Sequence, residues 1–175
     1  MIESVKIPNK VQKPKIIVNT SSWINLFRVD LTDYLVESFY IFVTPKVNKE
    51  ILEGKEFAED AKIFEKLSNE GYIRVVIPKV IQEEIKHEIS ISSGEIEIIA
   101  YAMEKEDRMV LIDDSKVYQV MERFNLKYIS SANIVVDAYL TKRINKDRAY
   151  RLLEVLRRVL KDEVIDKAKE VLKNA

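Results

Sequence analysis

An α/β fold, a three-layer sandwich around a central parallel sheet of about five strands, is what this sequence predicts, and three observations predict it. Short runs rich in β-branched and aromatic residues recur: KIIV at 15–18, FYIFV at 39–43, YIRVVI at 72–77, MVLI at 109–112 and LKYI at 126–129. Between them the apolar residues take a helical spacing, as at Phe57, Ala61, Phe64 and Leu67. Proline, glycine or small polar residues punctuate the junctions. Strands alternating with helices at such short spacing build a parallel sheet, because each parallel neighbour needs a crossover.

Residues 1–14 are polar, contain Pro8 and Pro14, and read as an N-terminal extension; a single domain then runs over 15–175. The first strand, Lys15–Val18, ends at Asn19-Thr20-Ser21-Ser22, and Ser21 or Ser22 is expected to cap a short helix over Trp23–Phe27. Leu31–Glu37 is helical, and Phe39–Val43 is the second strand. Pro45, suited to a first helical turn, opens the helix that carries Val47, Glu50 and Ile51. A helix over Glu56–Asn69 stops at Gly71, expected in the left-handed conformation. Tyr72–Ile77 is the third strand, and Val80, Ile81, Ile85 and Ile89 predict a helix after it. Ser92 and Glu95 have the spacing of a capping box, which starts the helix Gly94–Lys105. Met109–Ile112, a helix over Ser115–Phe124 and the short strand Lys127–Ile129 follow. Ser130 or Ser131 caps Ala132–Thr141, and helices near Lys146–Lys161 and Glu163–Lys173 finish the chain.

The composition narrows the chemistry. With 47% hydrophobic residues among 175, the chain can bury a sizeable core. Its 29 basic and 29 acidic residues cancel, which argues against a surface that binds polyanions everywhere and leaves room for a local basic patch. The absence of cysteine excludes disulfides and thiolate metal sites, and a single histidine, His87, excludes multi-histidine zinc sites. Any bound metal must be held by oxygens, which favours Mg²⁺ or Mn²⁺. No apolar run approaches a membrane span and no signal-peptide core is visible at the N-terminus, so a cytoplasmic protein is expected.

Acidic residues fall where such a fold gathers its ligands. Asp113 and Asp114 follow the fourth strand directly, Glu50 lies one turn into the helix after the second, and Glu95 is in the first turn of another helix. Adjacent carboxylates at the end of a buried strand are costly unless a positive charge neutralises them. Carboxyl ends of parallel strands and helix N-termini share one rim, where ligands bind, so Asn19, Glu50, Glu95 and Asp113–Asp114 can converge there. Glu97 is two residues from Glu95 and cannot share its helix face, so Glu95 is taken as the acid in the cleft. Each acid also has a plainer use. Glu95 serves as a capping-box acid, Glu50 as a solvated helix residue, and Asp113 or Asp114 as an N-cap. His87, on a charged segment, is expected at the surface.

The ordered series IIVNTSSWINL, VTPKVNKEI, GEIEIIAYA, VLIDD and LKYISSANIVVDAYL resembles the PIN domain. The branch it resembles, which includes VapC-like ribonucleases, has a third motif reading Gly-Glu-Ala-Glu-Ala-Ile. The similarity covers about Lys15 to Leu160, and GEIEIIAYA followed by LIDD is its most specific part. The resemblance implies a Mg²⁺- or Mn²⁺-dependent ribonuclease acting on single-stranded RNA, often the toxin of a toxin–antitoxin pair. An antitoxin protein and a second copy of the chain, through the C-terminal helices (Leu152, Leu153, Leu156, Val159, Leu160), are then expected partners. Those leucines are equally well explained as core-facing.

Carried over by motif, the four acidic positions fall on Asn19, Glu50, Glu95 and either Asp113 or Asp114. Glu50, Glu95 and the aspartates would hold the metal, Thr20 and Ser131 would orient water or phosphate, and Glu97 would be an outer base. The family usually has Asp where this chain has Asn19. An amide oxygen still ligates a hard cation but removes one negative charge, so the alternative reading is a catalytically degenerate module that binds RNA or protein. Trp23 and Asn133 also depart from the small residues usual there and are expected to reshape the cleft mouth. Lys46, Lys49, Lys116, Arg123, Lys142, Arg143, Lys146 and Arg148 are the basic candidates for RNA contact.

Overall fold

A computed structural model of the chain describes residues 12–88 and 90–175. Its five strands, β1 (Lys15–Val18), β2 (Tyr40–Val43), β3 (Ile73–Val75), β4 (Arg108–Leu111) and β5 (Tyr128–Ile129), form one sheet in the order β3-β2-β1-β4-β5. Every pairing is parallel, with Ile17 opposite Phe42 on one side and Val110 on the other. Helices α1 (Thr20–Arg28) and α2 (Thr32–Ser38) lead from β1 to β2, and α3 (Pro45–Glu53) and α4 (Glu59–Asn69) from β2 to β3. Next come α5 (Glu83–Lys86) and α6 (Ser93–Met103) before β4, then α7 (Ser115–Arg123) before β5. The chain closes with α8 (Ser131–Leu140), α9 (Lys146–Leu156) and α10 (Asp162–Asn174). The result is the α/β sandwich that the strand pattern predicts.

The central strands are apolar without alternation because both faces of the sheet are covered. Ile16, Ile17, Val18, Val43, Val110, Leu111 and Ile112 are all fully buried. Burying one such side chain is worth about 1.5–3 kcal/mol, so this stretch dominates the core. The chain adds β2 and β3 on one side of β1, then returns to add β4 and β5 on the other. Between β1 and β4 the direction of winding reverses, and a crevice opens at their carboxyl ends. One backbone bond ties those ends together, Asn19 N–H to Leu111 O at 3.1 Å.

Several expected boundaries move, for local reasons. Asn19, not Ser21 or Ser22, is the N-cap of α1, so the helix begins at Thr20; Ser22 is instead fully buried inside it. The helix expected from Glu56 begins at Glu59, and Phe57 projects into solvent at 90% exposure. β3 is a three-residue edge strand, so Tyr72, Val75 and Ile77 stay exposed where a buried run was expected. The predicted helix around Val80–Ile89 shrinks to the single turn of α5; Val80 is exposed and Ile89 lies outside the described residues. Gly71 does end α4 with positive φ, +83°, and a side chain there would meet no neighbour, so backbone freedom alone explains the glycine. The proposed extension falls largely on residues 1–11, outside the described residues.

Trp23 does not stand at the cleft mouth. It is fully buried, packs edge-on against Phe64 at 5.2 Å and donates its indole N–H to Asp60 O. Leu153, Leu156 and Leu160 are likewise core residues, which assigns most of the C-terminal apolar stripe to the interior.

Candidate active site

The crevice at the β1/β4 switch point is a cleft of about 620 Å³. Asn19, Thr20 and Ser21 enter it from the end of β1, Glu50 from α3, Ser92 and Glu95 from the start of α6, and Asp113, Asp114 and Ser115 from the end of β4. The four carboxylates read from the sequence, Glu50, Glu95, Asp113 and Asp114, therefore line one cavity, with Asn19 beside them. Strand ends and helix N-termini bring them together, as the rim argument requires.

The two aspartates are not equivalent. Asp113 is buried at 8% exposure and accepts three hydrogen bonds. Its Oδ1 takes the Ser131 backbone N–H at 2.7 Å, while Oδ2 takes the Ser131 hydroxyl and the Asn25 amide, both at 2.7 Å. Asp114 is exposed and caps α7, accepting the Lys116 N–H at 2.9 Å. Ser131, expected to orient substrate, instead spends both its donors on Asp113 and so locks the start of α8 to the end of β4.

Glu95 is buried at 7% exposure and completes the capping box: its Oε2 accepts the Ser92 N–H at 2.6 Å. The plain use and the cleft position hold at once, because one carboxylate oxygen is enough for the cap. Glu50 is exposed and accepts the Thr20 hydroxyl at 2.6 Å through Oε2. Its carboxylate lies against Gly94, where an added Cβ would stand 3.0 Å from Oε1. The Asn19 amide, 5% exposed, donates through Nδ2 to Ser21 Oγ at 3.3 Å, which turns its carbonyl oxygen away from that bond. Glu97 points elsewhere: Oε2 accepts the Lys46 N–H at 2.9 Å and caps α3. It lies outside the cleft and cannot act as an outer base there.

None of Glu50, Glu95, Asp113 and Asp114 is in an ion pair among the described residues. Their field reaches Tyr118, whose hydroxyl is pushed well above its usual range by burial first and by the Asp113 charge second. An all-oxygen donor set with uncompensated negative charge suits a hard divalent cation. Among the described residues no three acidic or histidine side chains stand close enough together to grip an ion as they are.

A family model described as a PIN domain (DUF3368) matches residues 15–174. The chain belongs to the PIN-domain family. A PIN domain is a nuclease-type fold, and here its crevice carries the acids at the positions described above. No curated protein matches the chain.

Reading the sequence missed three contributors to this PIN-domain cleft. Asn25 and Arg28 lie on one face of α1 with Ser21 and Ile24, an i, i+3, i+4, i+7 series that lines the cleft. Arg28 donates to Asn25 Oδ1 at 3.1 Å, so a cation reaches Asp113 through one amide. Lys161, at the start of α10, carries no local signal; it arrives by tertiary packing. None of the eight basic candidates lines the cleft. Arg123, Arg143 and Arg148 are paired with Glu88, Glu37 and Asp30. Among the described residues no helix is long and apolar enough to cross a membrane.

Proposed function

We propose that this PIN domain is a metal-dependent endoribonuclease that hydrolyses phosphodiester bonds of single-stranded RNA. The observation that carries the reading is the set of four carboxylates on one cleft with no ion-paired partner among the described residues. Glu50, Glu95, Asp113 and Asp114 would hold Mg²⁺ or Mn²⁺, with the Asn19 carbonyl oxygen as a neutral donor. The chemistry such an ion supplies is activation of a water for in-line attack and neutralisation of charge on the phosphate oxygens.

The protein's own groups divide the remaining work. Thr20 holds the Glu50 carboxylate from one side, and Gly94 leaves room for it on the other. Ser131 and Asn25 fix Asp113, leaving it little freedom to turn away. Arg28 and Lys161 bring positive charge to the cleft wall, where a phosphate backbone would pass. The wider setting that goes with this reading is a cytoplasmic toxin with an antitoxin protein as partner and a homodimeric state. Growth arrest on induced expression, relieved by Glu50→Gln, tests that setting.

Asn19 favours a second reading, a PIN module that binds RNA or protein without cleaving it, since one negative charge is missing from the donor set. Calorimetric Mn²⁺ titration together with cleavage of a mixed-sequence single-stranded RNA separates the two. Binding with metal-dependent cleavage supports the nuclease. Binding without cleavage that Asn19→Asp restores supports the degenerate module.

A further inference from the structure

Three cavities along the carboxyl edge of the sheet share two residues, Ser115 and Lys161. They therefore adjoin one another at those two residues, the acidic cleft among them. The cavity beyond β4 has a volume of about 390 Å³, within the range of small-molecule sites. Its chemistry differs from the cleft's. Tyr118 and Tyr128 line it as a stacked pair, with ring centroids 4.7 Å apart and planes at 27°. Asn133 adds a polar group: its Oδ1 is occupied by the Ser130 N–H and hydroxyl, both at 2.9 Å, so its two amide hydrogens face no protein acceptor among the described residues. Lys161, exposed between this cavity and the cleft, is in no ion pair among the described residues.

Resting on the nuclease reading above, we propose that this cavity is a nucleobase subsite, taking the base of a nucleotide that flanks the phosphate held in the acidic cleft. The tyrosine pair offers an aromatic surface on which any base can stack. Asn133 supplies donors for a base carbonyl or ring nitrogen. Lys161 meets the phosphate that connects the subsite to the cleft. A duplex could not enter, because its bases are already stacked and paired; a single strand could splay one base into the cavity.

The test is anisotropy binding of a fluorescein-labelled nine-nucleotide RNA, against an abasic strand of the same length, in Ca²⁺. It uses wild type, Tyr128→Ala and Val171→Trp. Val171 lines the cavity from an exposed position on α10, so the tryptophan fills the space without disturbing the core, even if Tyr128→Ala folds poorly. The proposal expects wild type to prefer the RNA over the abasic strand, and both variants to weaken RNA binding about tenfold, with abasic binding changed less than about twofold. Equal affinity of wild type for both strands, or variants that weaken both strands alike, would overturn it. Cleavage of the RNA by wild type in Mn²⁺ is scored separately. Base discrimination without cleavage still supports the subsite and counts against the nuclease reading; cleavage without base discrimination removes the subsite alone.

Discussion

Asp113 and Ser131 are joined twice: the carboxylate accepts both the backbone N–H and the side-chain hydroxyl of the serine, each at 2.7 Å. This clasp closes the gap between the end of β4 and the start of α8. Asp113→Asn replaces one carboxylate oxygen with an NH₂, which then faces either the Ser131 N–H or the pair formed by the Ser131 hydroxyl and the Asn25 amide. Leaving buried donors unmatched costs about 1–3 kcal/mol each, and partial rearrangement recovers some of that. A loss of about 2–3 kcal/mol, or roughly 5–10 °C in thermal midpoint, is expected by calorimetry or circular dichroism. An unchanged midpoint would show that the clasp is not holding the two elements.

Glu95 has two roles that a pair of substitutions separates. Glu95→Gln keeps an oxygen for the Ser92 N–H but removes the charge, so stability should hold while Mn²⁺ affinity falls at least tenfold. Glu95→Ala removes both and should also lose about 0.5–1.5 kcal/mol of stability, because the Ser92 N–H loses its acceptor while the Ser92 hydroxyl still caps the helix. Denaturant titration beside metal titration reads the two effects independently.

Gly94→Ala is expected to act on the site more than on the fold. The new methyl meets Glu50 Oε1 at 3.0 Å, and the end of a side chain can move aside cheaply. Stability should stay within about 1 kcal/mol of wild type, since alanine also favours the helix. Metal affinity and cleavage should fall together, by about tenfold, because the displaced carboxylate is the one that reaches in from α3.

Alkaline stability follows from Tyr118. Its folded-state pKa lies above the ordinary tyrosine value of 10.0, through burial and then the Asp113 charge. The unfolded chain therefore ionises this hydroxyl first, so the stabilisation is complete below pH 10 and is lost as pH rises through the folded value. Denaturant midpoints measured from pH 8 upward should decline above about 10, and Tyr118→Phe should flatten that decline.

The architecture was legible because buried parallel strands are written as unbroken apolar runs, and KIIV and MVLI leave little choice of structure. The rim was legible for the same reason: once strand ends are known, Asn19, Glu50, Glu95 and Asp113 must meet. Less legible were features set by what packs nearby. Phe57 and Val80 fit a helical period yet stand in solvent, because the helices expected to bury them begin later or are cut to one turn. Trp23 looked like a cleft residue from its place after β1, but the first turn of α1 starts early enough to swing it into the core. Arg28, one turn beyond the residues read as the first helix's start, and Lys161, more than forty residues from any acid of the cleft, did not show at all.

The most direct measurement is metal-dependent cleavage of a mixed-sequence single-stranded RNA by wild type and by Glu50→Gln, with Mn²⁺ binding followed on the same samples. Glu50 is exposed, so the variant should fold as wild type does. The account predicts micromolar Mn²⁺ binding and RNA cleavage by wild type that chelation abolishes, and a loss of at least a hundredfold in cleavage by the variant. Cleavage that survives chelation or the substitution, or a wild type that neither binds Mn²⁺ nor cuts RNA, would contradict it.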